Sequence, residues 1–292
     1  KLIKKYGNTV HKGKESFILA AESSFHGRTL ATLSATGQPK YKKGFEPMVK
    51  GFKFFKYNDI ASVKKIFEEL KENNQKASGI LVEPIQGEGG VIPGDKKFFK
   101  ELREICNQYN SLLILDEVQS GVGRTGKMWG YENLEIEPDG FTLAKGLGGG
   151  HAIGALLVQK KANIFTPGDH ASTFGGNPFA CRAAITVLEE IKRRKILKNV
   201  LERGNQLNEG FTKISAKFPK IISDIRGLGL IQGLVINDSY TDAKTITLKA
   251  FDKGLLLVPA GGNVVRFVPP LIISRNEINI LLKKLDLIFE EM

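Results

Sequence analysis

Short apolar runs alternate with longer amphipathic stretches over the first two thirds of the chain. "SFILAAES" from Ser16, "GILVEP" from Gly79, "SLLILDEV" from Ser111, "GFTLA" from Gly140 and "IGALLVQ" from Ile153 each read as a strand. Between the first two, Ile60, Val63, Ile66, Phe67 and Leu70 keep helical spacing behind a capping Asn58 or Asp59. "DKKFFKELREICNQYN" from Asp95 reads as a second helix. Apolar strands separated by helices predict a mostly parallel sheet covered on both faces. The stretch from Ile80 to Asp116 is long enough for one right-handed crossover.

The texture then changes. One long helical stretch is predicted after Pro178, from about Ala180 to Phe218. Beyond it, "IISDIRGLGLIQGLVI", "GLLLVPA" and "VVRFVPPL" predict a smaller antiparallel sheet. "YTDAKTITLKAFDKG" and "SRNEINILLKKLDLIFEEM" predict its helices, the last opened by a capping box of Ser274 and Glu277. The expected division is a large domain over 1–192 and a small α+β domain over 193–292. No internal repeat or low-complexity linker interrupts this order.

Composition narrows the class without changing the fold. The 292 residues are 41% hydrophobic and 25% charged, ordinary for a globular chain with a substantial core. No run of 18 apolar residues predicts a membrane span, and the charged opening "KLIKKYGNTVHKGK" lacks the apolar centre of a secretory leader. Cys106 and Cys181 form neither a disulfide framework nor a metal-ligand spacing, so a reducing cytoplasm is the expected compartment. A net charge of +12 raises nucleic acid as a partner. The lysines, however, are dispersed among glutamates in "SVKKIFEELKENNQK", with no aromatic-studded basic stripe. The charge suits small anionic substrates better.

Candidate chemistry lies at strand ends, where open α/β sheets bind ligands. "ILVEP" ends in Glu83, "LLILDEVQ" in Asp116 and Gln119, and "FTLA" runs into Lys145. A salt bridge between Asp116 and Lys145 is one reading. The glycines at 146, 148, 149 and 150 favour another, because they leave room beside the amine for something planar. A lysine in such a site serves as a Schiff-base nucleophile. Pyridoxal phosphate asks for that lysine and for an acid facing its ring nitrogen. "STFGGNP" offers the Ser172 and Thr173 hydroxyls and a helix start at Asn177-Pro178 for a phosphate, although an ordinary helix start has the same pattern. "GVGRTGKM" from Gly121 imitates a phosphate loop but has Met128 where Ser or Thr is required, and no helix is predicted after it. "RGLGLIQG" has dinucleotide-like glycine spacing but opens no helix.

"SSFHGRTLATLSATGQPKYKKGFEP", "VEPIQGEGGV", "ILDEVQSGVGRTG", "LAKGLGGG" and "STFGGNP", in that order, resemble the class III pyridoxal-phosphate aminotransferases, and among them the branch acting on N-acetylornithine. The resemblance spans the chain and implies an α/β fold of the aspartate aminotransferase type. It implies that Lys145 forms the Schiff base and moves protons, and that Asp116 pairs with the pyridinium nitrogen. Gln119 would touch the ring hydroxyl, and Phe25 and Val118 would flank the ring. Arg28 would clamp the substrate α-carboxylate, with Glu83 a further substrate contact. Ser172 and Thr173 would reach the cofactor phosphate of a neighbouring subunit, making a homodimer. Glu88 and Arg266 would form a pair that opens to admit 2-oxoglutarate. The implied reaction moves the δ-amino group of N-acetylornithine to 2-oxoglutarate, a step of arginine biosynthesis. Alternatives are another class III donor (ornithine, succinylornithine or 4-aminobutyrate), or a non-catalytic relic of the fold. The resemblance further implies that the chain is N-terminally truncated, its large domain lacking a segment and one strand ahead of "KLIKKYG", which would leave an unpaired edge on "IGALLVQ".

Overall fold

The computed structural model describes residues 1–12 and 14–292. In chain order the elements are α1 (Leu2–Val10), β1 (Ser16–Ala21), α2 (Leu30–Ala35), β2 (Phe52–Phe55), α3 (Ile60–Glu72), β3 (Lys76–Val82), β4 (Ile85–Gln86), β5 (Ile92–Pro93), α4 (Lys96–Gln108) and β6 (Leu112–Asp116). There follow β7 (Gly140–Leu143), β8 (Ala155–Val158), α5 (Pro178–Arg193), α6 (Ile196–Lys217), β9 (Ile222–Leu228), β10 (Ile231–Ile236), α7 (Ala243–Asp252), β11 (Val258–Ala260), β12 (Val264–Phe267) and α8 (Arg275–Glu290).

Two compact units divide these elements. The first takes in 1–84, 94–119 and 131–187, and the second 85–93, 120–130 and 188–292. Two excursions, 85–93 and 120–130, therefore go with the C-terminal part, where one cut near residue 193 would leave them in the large domain.

The first unit is built on a six-stranded sheet in the order β2-β1-β3-β6-β7-β8. Five strands are parallel and β8 runs antiparallel to β7. Parallel neighbours need crossovers, and α3 and α4 provide them over one face. Val63, Phe67 and Leu70 of α3 and Phe98, Phe99 and Leu102 of α4 bury against Leu19, Ile80, Leu113 and Leu115. Both helices start on aspartate caps. Asp59 accepts from Ala61 N at 3.0 Å and Ser62 N at 3.2 Å, and Asp95 accepts from Phe98 N at 2.8 Å. Leu2 and Ile3 of α1 cover the other face against Leu112 and Ile114. The sheet is thus apolar on both sides, which is why its strands read as near-continuous hydrophobic runs. At one edge, β8 exposes Leu156 and Leu157.

The second unit carries an antiparallel sheet, β11-β12-β10-β9, with α6, α7 and α8 packed around Phe211, Leu234, Ile246, Phe267 and Leu285. The capping box forms: Glu277 N donates to Ser274 Oγ at 3.2 Å, and Ser274 N to Glu277 Oε2 at 2.7 Å. The single helix expected over about 180–218 is two. It breaks at Arg194-Lys195, where Lys195 takes the left-handed conformation (φ 51°). Nothing in "KRRK" interrupts a helical pattern, so a conformation rare outside glycine marks the break.

Candidate functional site

The site grows from the rim of the parallel sheet. β6 and β7 are hydrogen-bonded neighbours, with Asp116 opposite Thr142. Both chains leave the sheet at the same end. One delivers Asp116, Val118 and Gln119; the other delivers Lys145, the first residue of a 3-10 turn over Lys145–Gly148. Lys145 has φ 33°, a strained value for a residue with a Cβ. Phe25, His26, Gly27, Glu83, Asp116, Val118, Gln119 and Lys145 line one cavity in the first unit. Lys145 itself is exposed.

Asp116 is held at both oxygens. His26 Nδ1 lies 2.8 Å from Oδ2, with the imidazole 1% and the carboxylate 11% exposed. Val118 N and the Thr142 hydroxyl donate to Oδ1 at 3.2 and 3.3 Å. The imidazole of His26 is thus a close partner of the acid. Burial works against the imidazolium. The hydrogen bond and charge of Asp116, with the charge of Glu83, more than offset it, and His26 stands above its ordinary pKa. Among the described residues, His26 Nε2 is buried without a hydrogen-bond partner.

His26 is the functional residue that sequence reasoning missed. The signal was its place inside "FHGRT", between two candidate residues. Gly27 makes the arrangement possible. Its φ of 130° is open only to glycine, so the chain can turn His26 inward and Arg28 outward.

Glu83 is buried at 4% exposure, and its Oε2 accepts from Phe25 N at 3.1 Å. This fixes the backbone that carries Phe25 and His26. The Tyr57 hydroxyl donates to the carbonyls of Glu83 and Pro84 at 2.7 and 3.1 Å. Burial, with Glu83 nearby, pushes the Tyr57 phenol well above its usual pKa. Arg28 is exposed and stands outside the cavity lining. Ser172 and Thr173 are also exposed and outside it. The Ser172 hydroxyl accepts from Gly175 N at 3.1 Å, and Asn177 caps α5 by accepting from Ala180 N at 2.9 Å.

In the second unit, Arg266 Nη1 meets Glu88 Oε1 at 2.8 Å, with side chains 8% and 24% exposed. The phosphate-loop imitation also lies there and has a structural role. Arg124 donates to the carbonyls of Leu230 and Pro269 at 2.9 and 2.6 Å, and burial lowers its pKa to about 10. The dinucleotide-like glycines turn the β9–β10 hairpin, with Gly229 at φ 55°.

The cavity suits the ring end of pyridoxal phosphate. Its lining brings together the Lys145 amine, the Asp116 carboxylate with the His26 imidazole against it, and the apolar side chains of Phe25 and Val118. A profile of the aminotransferase class-III family matches residues 1–289. The chain belongs to the class III aminotransferases. It is 98% identical to an acetylornithine aminotransferase of Prochlorococcus marinus subsp. pastoris over 292 residues, all of this chain and 70% of that protein. It is 53% identical to the Nostoc sp. protein of the same name, over 98% of this chain and 67% of that one. Among solved structures, the ornithine aminotransferase of Toxoplasma gondii superposes with a TM-score of 0.91 at 30% identity, covering 99% of this chain and 69% of that one. The acetylornithine aminotransferase of Elizabethkingia anophelis gives a TM-score of 0.83 at 31% identity, covering all of this chain and 70% of that one. These likenesses carry the expected α/β fold with its mostly parallel sheet, and pyridoxal phosphate as the cofactor of the class.

Proposed function

We propose that this chain moves the δ-amino group of N-acetylornithine to 2-oxoglutarate, a step of arginine biosynthesis in the cytoplasm. The observation that carries the proposal is the junction of Asp116, His26 and Lys145 at one sheet rim, in a chain 98% identical to a protein named for the acetylornithine reaction. Pyridoxal phosphate, when bound, supplies an electron sink for the charge left at carbon after a proton is removed.

The rest is the work of the chain's own residues. Lys145 Nζ would hold the cofactor at its aldehyde and, once displaced by the donor's amine, would move the proton at the substrate carbon. A short turn on a rigid sheet aims it there. Asp116, oriented by His26, would face the ring nitrogen and favour its protonated form, and Gln119 would meet the ring hydroxyl. Phe25 and Val118 exclude water from the ring faces. Arg28 binds the α-carboxylate, for which a planar bidentate guanidinium is better suited than an ammonium. Glu83 fixes the loop that carries Phe25. Glu88 neutralises Arg266 while the donor, whose reacting δ-carbon bears no carboxylate, is handled, and releases it for a carboxylate of the keto acid. An uncompensated buried guanidinium is costly, so a removable partner is useful. Ser172 and Thr173 serve the phosphate of a second copy. The exposed Phe174 and Phe179 beside them, 81% and 70% accessible, support a homodimer there.

The test follows the nitrogen. With pyridoxal phosphate, 2-oxoglutarate and N-acetylornithine labelled with heavy nitrogen at the δ position, the label is expected in glutamate. Label that stays in the donor, or glutamate labelled faster from ornithine or 4-aminobutyrate, would refute this choice of substrate.

A further inference from the structure

Arg28 is exposed, yet aromatic rings fix its guanidinium. Its Cζ lies 4.4 Å from the centre of the Tyr41 ring and 5.4 Å from that of Phe25. The two rings meet edge to face, with centroids 5.7 Å apart and planes at 81°. A guanidinium over a ring face is attracted by the ring quadrupole and keeps its N–H edge outward, available to a carboxylate. Lys40 Nζ stands 4.9 Å from the centre of the same Tyr41 ring, adding positive charge at this spot.

Tyr41 can act as a fixed wall because its segment is tied to the one that carries Arg28. Ser23 N donates to Gly37 O at 2.9 Å and Gly37 N to Ser24 Oγ at 3.0 Å. Gln38 Nε2 donates to the carbonyls of Ser23 and Ser24 at 3.1 and 3.2 Å, and His26 N donates to Thr36 Oγ1 at 3.0 Å. Ser24, Thr36 and Gln38 are buried, so water competes little for these bonds. A Cβ at Gly37 would collide with the Ala21 carbonyl, which shows how closely the two segments run.

We propose that Tyr41 is a positioning residue that sets the preference for donors bearing an α-carboxylate, by holding the Arg28 guanidinium edge-on to it. This rests on the role given to Arg28 under the proposed function. The ring makes both contacts, so phenylalanine should replace tyrosine.

The experiment compares two donors on the cofactor-saturated chain: N-acetylornithine and N-acetyl-1,4-diaminobutane, the same molecule without its carboxylate. The ratio of their kcat/KM values cancels any difference in the amount of folded protein. Arg28→Ala is expected to collapse the ratio. Tyr41→Leu should lower it about tenfold through the KM for N-acetylornithine, and Tyr41→Phe by less than about twofold. A ratio kept in Tyr41→Leu but lost in Arg28→Ala overturns the Tyr41 assignment and leaves the proposed function standing. A ratio near one in the unaltered chain overturns the role of Arg28, and that of Tyr41 with it.

Discussion

Two aspartates sit at opposite ends of the same pair of strands, and they are held in different ways. Asp116 closes β6 at its carboxyl end. Asp139 stands just before β7, at the other rim. Asp139 is 2% exposed, and its carboxylate accepts from Leu113 N at 2.8 Å, Arg103 Nη1 at 2.7 Å and Lys161 Nζ at 2.6 Å. Its partners are a backbone amide and two permanent cations. Asp116 instead has an imidazole at 2.8 Å, two longer bonds, and a cavity in front of it. The first arrangement locks the entry to β7 against the sheet. The second leaves an acid oriented but open to a ligand. Chemistry at the carboxyl rim and structural fastening at the amino rim is what a parallel sheet favours, since its ligands gather beyond the carboxyl ends.

Exchanging the two acids for amides should separate these roles most sharply. Asp116→Asn is expected to cut kcat/KM by about two to three orders of magnitude, with a smaller stability loss than Asp139→Asn. Asp139→Asn should do the reverse. It leaves two cations around a weakened acceptor and should cost about 3 kcal/mol of stability, with activity per folded molecule preserved. Denaturant titrations and steady-state kinetics on both variants test the pair. A large stability loss in the first, or a large kinetic loss in the second, would erase the distinction.

The same contrast should appear in the pH dependence of stability. His26 has a raised pKa when folded, so its contribution is full below the unfolded value of about 6.5 and is lost as pH rises through the folded value. Burial alone would push the Asp139 carboxyl up. The Leu113 amide, Lys161 and Arg103 outweigh it and hold the carboxyl below its ordinary 3.8. Its contribution is therefore present above that value and lost as pH falls through the folded one. His26→Asn should flatten the alkaline limb alone and lower kcat/KM about tenfold, since Asp116 would lose the imidazole that orients it. Melting temperatures from acid to alkaline pH, with and without the substitution, would show it. An unchanged alkaline limb would remove His26 from the account.

The smallest effect belongs to Lys161. Its side chain is 60% exposed, so Lys161→Ala should cost no more than about 1 kcal/mol in a denaturant titration. A larger loss would mean that the Asp139 lock depends on its outer cation rather than on Arg103, whose side chain is 15% exposed.

The difference between the two acids also explains what the sequence could reveal. Asp116 and Lys145 end apolar runs, so a strand pattern alone places them at one rim. The Glu88–Arg266 contact needed the resemblance, because 178 residues separate its partners. His26 lies in a loop 90 residues before Asp116, and no local pattern states that an imidazole will face that acid. Arg103, Asp139 and Lys161 come from a helix, a strand entry and a short turn, and only the folded chain shows them as one network. The break at Lys195 was hidden for a different reason. Its neighbours keep a helical pattern on both sides, and the left-handed residue is a lysine rather than a glycine.

The central claim is that the β6–β7 rim holds an imine-forming amine beside an oriented acid. The direct measurement is to add pyridoxal phosphate, reduce with borohydride, and map the modified peptide by mass spectrometry. A pyridoxyl group on Lys145, at one equivalent per chain and absent after Lys145→Ala, is the expected result. Label spread over surface lysines, or undiminished in Lys145→Ala, would contradict the account.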